Sequence, residues 1–408
     1  MHRLEQKCWD FLLRHRLTLL VAFAAVGSLY VRYTMRGIVT GDMADFLNPW
    51  YDAIKAGGGL ASLSAQVGNY NIPYQTLIAL ATYLPLPREA AYKAVSVLFD
   101  YALSAALALG VLRFTGSRGK AALAWSVTVC LPSVVLNSAA WGQCDAIYTF
   151  FLVMCFVFLM RGRFTGAMLF FGAAFAFKLQ AVFFLPFLLF YYVQSRKFSA
   201  LRFLLIPLPI LFLSLGGLVQ GRSLGDLFTV YFNQMNEYPR ISLCYPSFWN
   251  LLVENSAKDN ADRYLEMYRY CILITVLLLA VGMLWLLRRK QLDRRALTMT
   301  ACAMLYTCVL FLPAMHDRYS YPALIFAVLA CFLCPRMIPV ALGMVIVDLQ
   351  TYGFYIFGKV PASWELLVAE NLLCYAGTVW LTARACLVPE AAEPRKAANG
   401  SGKDPDVL

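Results

Sequence analysis

The stretch KAALAWSVTVCLPSVVLNSAAWGQCDAIYTFFLVMCFVFLMR, residues 120–161, decides the fold. It runs for about 40 residues between basic ends, whereas one helix needs roughly 20 to cross a bilayer. The run is therefore a hairpin of two helices, interrupted halfway by Trp141, Gly142, Gln143, Cys144 and Asp145. Basic flanks stay in the cytoplasm, so the polar apex belongs on the opposite side of the membrane.

The same pattern recurs along the chain. From Arg295 to Arg336 the interruption is His316, Asp317, Arg318 and Tyr319, and from Arg336 to Arg384 it is Lys359 to Glu365. The stretch from Arg163 to Arg196 is shorter, yet both ends are basic, which asks for two passes with Lys178 and Gln180 at the turn. Its two helices must be short and tilted, or stop below the surface. At the N-terminus, Arg3, Lys7, Arg14 and Arg16 precede the apolar run 17–31. No small-residue cleavage site follows, so this is an uncleaved first span. The segment Ile72 to Pro87 is too short to span and is expected to lie at the outer surface.

The expected fold class is all-α: a polytopic transmembrane helical bundle of about twelve spans with both termini cytoplasmic. One domain covers residues 1–388, with outer loops 36–93 and 221–268, and 389–408 is expected to be a disordered cytoplasmic tail. Composition agrees. Hydrophobic residues make up 61% of 408 positions and charged residues 14%, with a mean hydropathy of +0.63, values foreign to a water-soluble domain. The net charge of +12 is spread in short clusters between apolar runs, the pattern of cytoplasmic loops, and not along a nucleic-acid-binding face. Most of the twelve cysteines sit inside apolar segments as small hydrophobes. The pair Cys331 and Cys334 has no His or second pair near it in sequence, and a disulfide between Cys144 and Cys244 stays open.

Once the chain is threaded this way, the polar clusters fall on one face. They are Gly41 to Trp50, Gly68 to Tyr74, Trp141 to Asp145, Lys178 with Gln180, Asn233 to Arg240, Tyr245 to Asn250, and His316 to Tyr321. Ionisable groups near a bilayer are costly and usually line cavities or sites. A site facing away from the cytosol has no access to ATP or nucleotide sugars, and the sequence holds no Walker loop, dinucleotide fingerprint or HExxH helix. A donor would arrive in the membrane, and a sugar on a polyprenyl phosphate suits that demand. Such chemistry needs a base for the acceptor hydroxyl and cations for the departing phosphate. Asp42 is the candidate base, with Asp45 second. Arg318, His316 and Lys178 are candidates for the phosphate oxygens. Asp145, with Trp141 and Gln143, is a candidate for sugar binding with the indole beneath the ring, or alternatively for orienting Lys178. Tyr70, Asn71, Gln180 and Tyr319 complete the candidate substrate contacts. No cofactor is called for, and no ligand cluster of suitable spacing asks for a divalent metal.

These residues carry a resemblance. The segments GDMADFLNPWYDAI (41–54), GNYNIPY (68–74), WGQCDAIYT (141–149), KLQ (178–180) and HDRYSYP (316–322) resemble the GT-C superfamily of integral-membrane glycosyltransferases. Within it, the chain looks like bacterial proteins similar to the second mannosyltransferase of GPI-anchor synthesis, and more distantly like the glucosyltransferases that complete the N-glycan precursor. The resemblance implies inverting transfer of a hexose, mannose-like, from a polyprenyl-phosphate donor, with the first-loop Asp as base, carried to Asp42 because it follows Gly41. The acceptor would be a glycan, lipid-linked or protein molecule outside a bacterial plasma membrane. The family usually has Glu where this chain has Asp317, which leaves that side chain's role open. The competing expectations are a transporter or flippase for lipid-linked saccharides, and a polymerase or ligase using a pyrophosphate-linked donor. A transporter would place its site near the midplane on broken helices, often between repeats; no repeat is evident here.

Overall fold

The computed structural model describes residues 3–235, 239–254, 257–289, 292–358 and 362–388. The expected tail at 389–408 and positions 236–238 of the Asn233 to Arg240 cluster lie outside the described residues. Among the described residues the principal helices of the bundle number twelve. They are α1 (Arg3–Thr34), α2 (Arg88–Thr115), α3 (Arg118–Cys130), α4 (Asp145–Met160), α5 (Phe164–Phe177) and α6 (Leu179–Ser195), followed by α7 (Ala200–Leu213), α8 (Ala257–Leu287), α9 (Arg294–Phe311), α10 (Tyr321–Cys331), α11 (Ile338–Phe357) and α12 (Trp364–Leu387).

Five of these are long and apolar enough to cross a membrane by themselves: α1, α2, α8, α11 with its leading turn, and α12. The pair α3 and Pro132–Ala140, bent by 48°, is long and apolar enough to make a sixth when taken as one span. The bend follows from sequence. Proline lacks an N–H and pushes its predecessor out of helical geometry, and Leu131 is extended at φ −61°, ψ 124°. Most other apolar helices are shorter. The 14 residues of α5 span only about 21 Å at 1.5 Å per residue, well under the roughly 30 Å of a hydrocarbon core. The short-hairpin expectation for 163–196 thus has a structural counterpart, and Lys178 at its turn is buried. Ile72–Ala81 is a ten-residue helix, with Leu80, Tyr83, Leu84 and Leu86 exposed around the following turn, as suits a segment at a membrane surface.

Bundle contacts are mainly apolar, with one buried ion pair tying α1, α2 and α3 together. Arg32 donates to Asp100 Oδ2 from Nε at 3.0 Å and Nη2 at 2.8 Å. Its Nη1 reaches the Val129 carbonyl at 2.9 Å, near the end of α3 where helix carbonyls lack intrahelical partners. Ser138 donates to the same Asp100 oxygen at 2.5 Å. All twelve cysteines are free, including Cys144 and Cys244.

Removing one partner of a buried ion pair leaves the other charge stranded at a cost of about 3–5 kcal/mol, while replacing both with apolar groups is often neutral. Thermal unfolding in detergent should therefore find Asp100→Leu and Arg32→Met each strongly destabilised, and the double variant less affected than either. A double variant as unstable as the singles together would deny the pair that role.

Candidate active site

The site is assembled from four turns on one end of the bundle. Asp42 precedes a π-helical turn, Met43–Leu47. The apex between α3 and α4 carries Trp141 and Gln143, and Gly142 there has φ +79°, a left-handed backbone that suits glycine. A Cβ on Gly142 would stand 2.6 Å from Met43 Cε and 3.5 Å from Leu47 Cδ1. Backbone freedom and absence of a side chain at this one position let the apex close onto the Asp42 turn.

Closure puts neutral donors around the Asp42 carboxylate. Oδ2 accepts from Trp141 Nε1 at 2.9 Å and Gln143 Nε2 at 3.0 Å. Oδ1 accepts from the Tyr355 hydroxyl of α11, whose oxygen also accepts the Asp42 backbone N–H at 2.9 Å. Tyr70 donates to Gln143 Oε1 at 3.0 Å, fixing the amide so that its N–H₂ points to Asp42.

Arg318 lies on the turn between α9 and α10. A two-stranded parallel ladder, β1 (Ser242–Leu243) and β2 (Met315–His316), clips this turn to the loop before α8, with Asp317 N donating to Leu243 O at 3.1 Å. The guanidinium is ringed by carboxylates at ion-pair distance: Asp317 at 3.6 Å, Asp145 at 3.8 Å and Asp42 at 3.9 Å. Its Nε is buried without a hydrogen-bond partner, and its charge lies 5.1 Å from the centre of the Trp141 ring. Lys178 behaves differently. It donates to Asp145 Oδ1 at 2.5 Å, and Asn137 donates to Asp145 Oδ2 at 2.9 Å.

Burial raises the Asp317 carboxyl to about 8, against a smaller lowering by Arg318, so it is largely neutral at pH 7. Burial, with Arg318, Lys178 and Arg240 nearby, holds His316 well below its ordinary 6.5. It is a neutral hydrogen-bonding group and not the cation that sequence reading allowed.

Asn69, Tyr70, Lys178, Gln180, Gln234, His316, Arg318 and Tyr319 line a cleft with about 500 Å³ of empty space open to solvent. Gln180, Gln234, His316 and Tyr319 also line a second, largely apolar groove of about 1160 Å³, walled by Leu179, Val182, Phe183, Ile272, Leu312 and Met315 among others. Gln180 Oε1 has no hydrogen-bond partner. Among the described residues no group of three or more His, Cys, Asp or Glu is spaced to hold a metal ion.

The structure brings Asp42, Trp141, Gln143, Asp145, Lys178, Arg318, His316, Gln180, Tyr70 and Tyr319 together. Asp45 is exposed and touches none of them through a hydrogen bond or ion pair. Asn71 is buried and braces the scaffold, donating to Ala176 O at 3.0 Å and accepting from Gln234 at 3.2 Å. Trp141 is fully buried, with one face stacked on Tyr355 at 4.3 Å and its Nε1 donating to Asp42. Asp145, also buried, orients Lys178. Sequence reading missed Tyr355, which in an apolar run looks like an interfacial anchor.

Comparison with known proteins now bears on this constellation. The model of glycosyltransferase family 87 matches residues 69–313, well over half of the chain. The chain belongs to glycosyltransferase family 87. No curated protein matches it. The match fits the GT-C-type expectation, while the narrower likeness to the second mannosyltransferase of GPI-anchor synthesis stays a resemblance of motifs. The matched segment carries Tyr70, Trp141, Gln143, Asp145, Lys178 and Gln180; Asp42 precedes it, and Arg318 and Tyr355 follow it.

Ionisation of Asp317 adds a negative charge beside Arg318, and it occurs as pH rises through about 8. An anion drawn to Arg318, with sulfate as the probe because its charge is constant in this range, should therefore bind more weakly at pH 9 than at pH 7. Asp317→Asn should flatten that slope. Calorimetric titration checks both, and an equal slope in the variant assigns the pH dependence elsewhere.

Proposed function

We propose that this membrane glycosyltransferase moves a hexose, mannose-like, from a polyprenyl-phosphate donor to an acceptor hydroxyl on the non-cytoplasmic side, with inversion and Asp42 as general base. One observation carries the reading. The cationic cleft around Arg318 and Lys178 lies beside an apolar groove, the two sharing Gln180, Gln234, His316 and Tyr319 as lining, an arrangement that suits a ligand with a phosphate head and an isoprenoid tail.

In this reaction Asp42 takes the proton of the acceptor hydroxyl as its oxygen attacks the anomeric carbon. The bond from that carbon to the phosphate oxygen breaks, and polyprenyl phosphate leaves with the electron pair. Arg318 and Lys178 meet the growing phosphate charge, and neutral His316 supplies a hydrogen bond. Gln180, with an unpaired buried oxygen, is suited to a donor hydroxyl. Asp42 loses its negative charge as the leaving phosphate gains one, so Arg318 can transfer its attraction from one to the other.

Incubating the purified protein with a panel of polyprenyl-phosphate sugars should find one that loses its sugar. Asp42→Asn should lower that turnover by roughly 10²- to 10⁴-fold and leave polyprenyl-phosphate binding intact; normal turnover would move the base elsewhere. The orientation is open to a separate check. Ser64, exposed beside the first-loop helices, should be labelled from outside intact cells as Ser64→Cys, by comparison with the parent chain. Labelling only after lysis would reverse the topology.

A further inference from the structure

Three residues of α11 at helical spacing reach three parts of the site. Asp348 accepts a hydrogen bond from Ser320 at 2.9 Å, at the end of the turn that carries Arg318. Tyr352 packs edge-on against Trp141, with ring centres 5.2 Å apart. Tyr355 stacks on the same indole and binds both the carboxylate and the backbone N–H of Asp42. Positions i, i+4 and i+7 share one helix face, so a single rigid element touches the base, its indole support and the phosphate turn. This helix lies beyond the matched family segment.

We propose that Tyr355 is a positioning residue that keeps the Asp42 carboxylate from collapsing onto Arg318, so that base and phosphate cation stay separately available. The inference rests on the donor reading above for its kinetic consequence, but its geometry stands alone. Asp42 and Arg318 face each other at 3.9 Å without a hydrogen bond, and the buried Arg318 Nε has no hydrogen-bond partner, with Asp145 at 3.8 Å. Two opposite charges so placed close the gap unless something holds them. Trp141 and Gln143 restrain only Oδ2. Tyr355 restrains Oδ1, and the carboxylate needs both ends tethered to resist rotation. Without the hydroxyl, Asp42 swings into a direct pair with Arg318. The base then loses its free lone pair, and the cation is occupied before a phosphate arrives.

The test uses Tyr355→Phe, which removes the hydroxyl and keeps the ring stacked on Trp141. Binding of a short polyprenyl phosphate is measured in four proteins: the parent, Tyr355→Phe, Asp42→Asn, and the double variant. Loss of a hydrogen bond to a charged group corresponds to about tenfold in affinity or more. Tyr355→Phe should weaken binding by about that factor when Asp42 is present, and change it less than about twofold in the Asp42→Asn background, where no carboxylate remains to capture Arg318. Equal losses in both backgrounds would make Tyr355 a structural support only, and no loss in either would also overturn the proposal.

A second readout needs no ligand. The coupling between Asp42→Asn and Arg318→Gln in thermal unfolding should be clearly larger in the Tyr355→Phe background, where the direct pair has formed, than when Tyr355 is intact. Equal coupling in both backgrounds overturns the proposal. A parent protein that binds no polyprenyl phosphate overturns the donor reading instead, and the unfolding cycle still decides the role of Tyr355.

Discussion

The site depends on a gap of 3.9 Å between the Asp42 carboxylate and the Arg318 guanidinium. At an effective dielectric of 20, two unit charges about 4 Å apart attract by about 4 kcal/mol. Hydrogen bonds to a charged group contribute about 1.5–3 kcal/mol each, and Asp42 accepts three from neutral donors: Trp141, Gln143 and Tyr355. Their sum exceeds the attraction, so the carboxylate stays turned partly aside. Much of the surrounding architecture serves that arrangement. Gly142 lets the apex approach, Tyr70 aligns the Gln143 amide, and α11 brings Tyr355 from 313 residues away.

A second constraint is depth. The hairpin from Arg163 to Arg196 has too few residues to cross a bilayer twice at full height, so its turn stops inside the protein. Lys178 is therefore 6% exposed, locked to Asp145, where a full-length hairpin would have released it to solvent. The same turn places Gln180 along both the polar cleft and the apolar groove, and Leu179, Val182 and Phe183 along the groove alone.

The hairpins were legible because basic residues at both ends and polar apices between them are strong signals in an apolar chain. The bend after α3 was equally plain from Pro132. Charged site residues stood out for the same reason: Asp42, Lys178 and Arg318 are expensive near lipid and demand an explanation. What stayed hidden depended on burial and long-range packing. An indole at a turn reads as an interfacial anchor or a sugar platform, and only the fold buries Trp141 between Tyr355 and Arg318. Tyr355 gave no signal because a tyrosine near the end of an apolar helix is ordinary. His316 was a candidate for the phosphate oxygens, and sequence cannot report that burial, with Arg318 and Lys178 beside it, disfavours its charged form. Asp45 and Asn71 looked alike to Asp42 and Tyr70 in their motifs, and one turn of helix or one buried amide bond separates their roles.

Charge balance ties these pieces to the proposed reaction. With Asp317 and His316 neutral, two cations line the cleft, Arg318 and Lys178, and two carboxylates, Asp42 and Asp145, stand beside them. Asp145 is committed to Lys178 at 2.5 Å, while Asp42 and Arg318 remain unbonded to one another. A glycosyl phosphate enters with one negative charge and leaves as a phosphate with up to two, and the extra charge appears as Asp42 becomes a neutral acid. The total charge of the cleft is the same before and after the bond changes, so no counter-ion must enter a partly desolvated site. The carboxylate that balanced Arg318 in the ground state vanishes as the phosphate needs it. Direct pairing of Asp42 with Arg318 would oppose that exchange at both ends, by weakening the base and by withholding the cation.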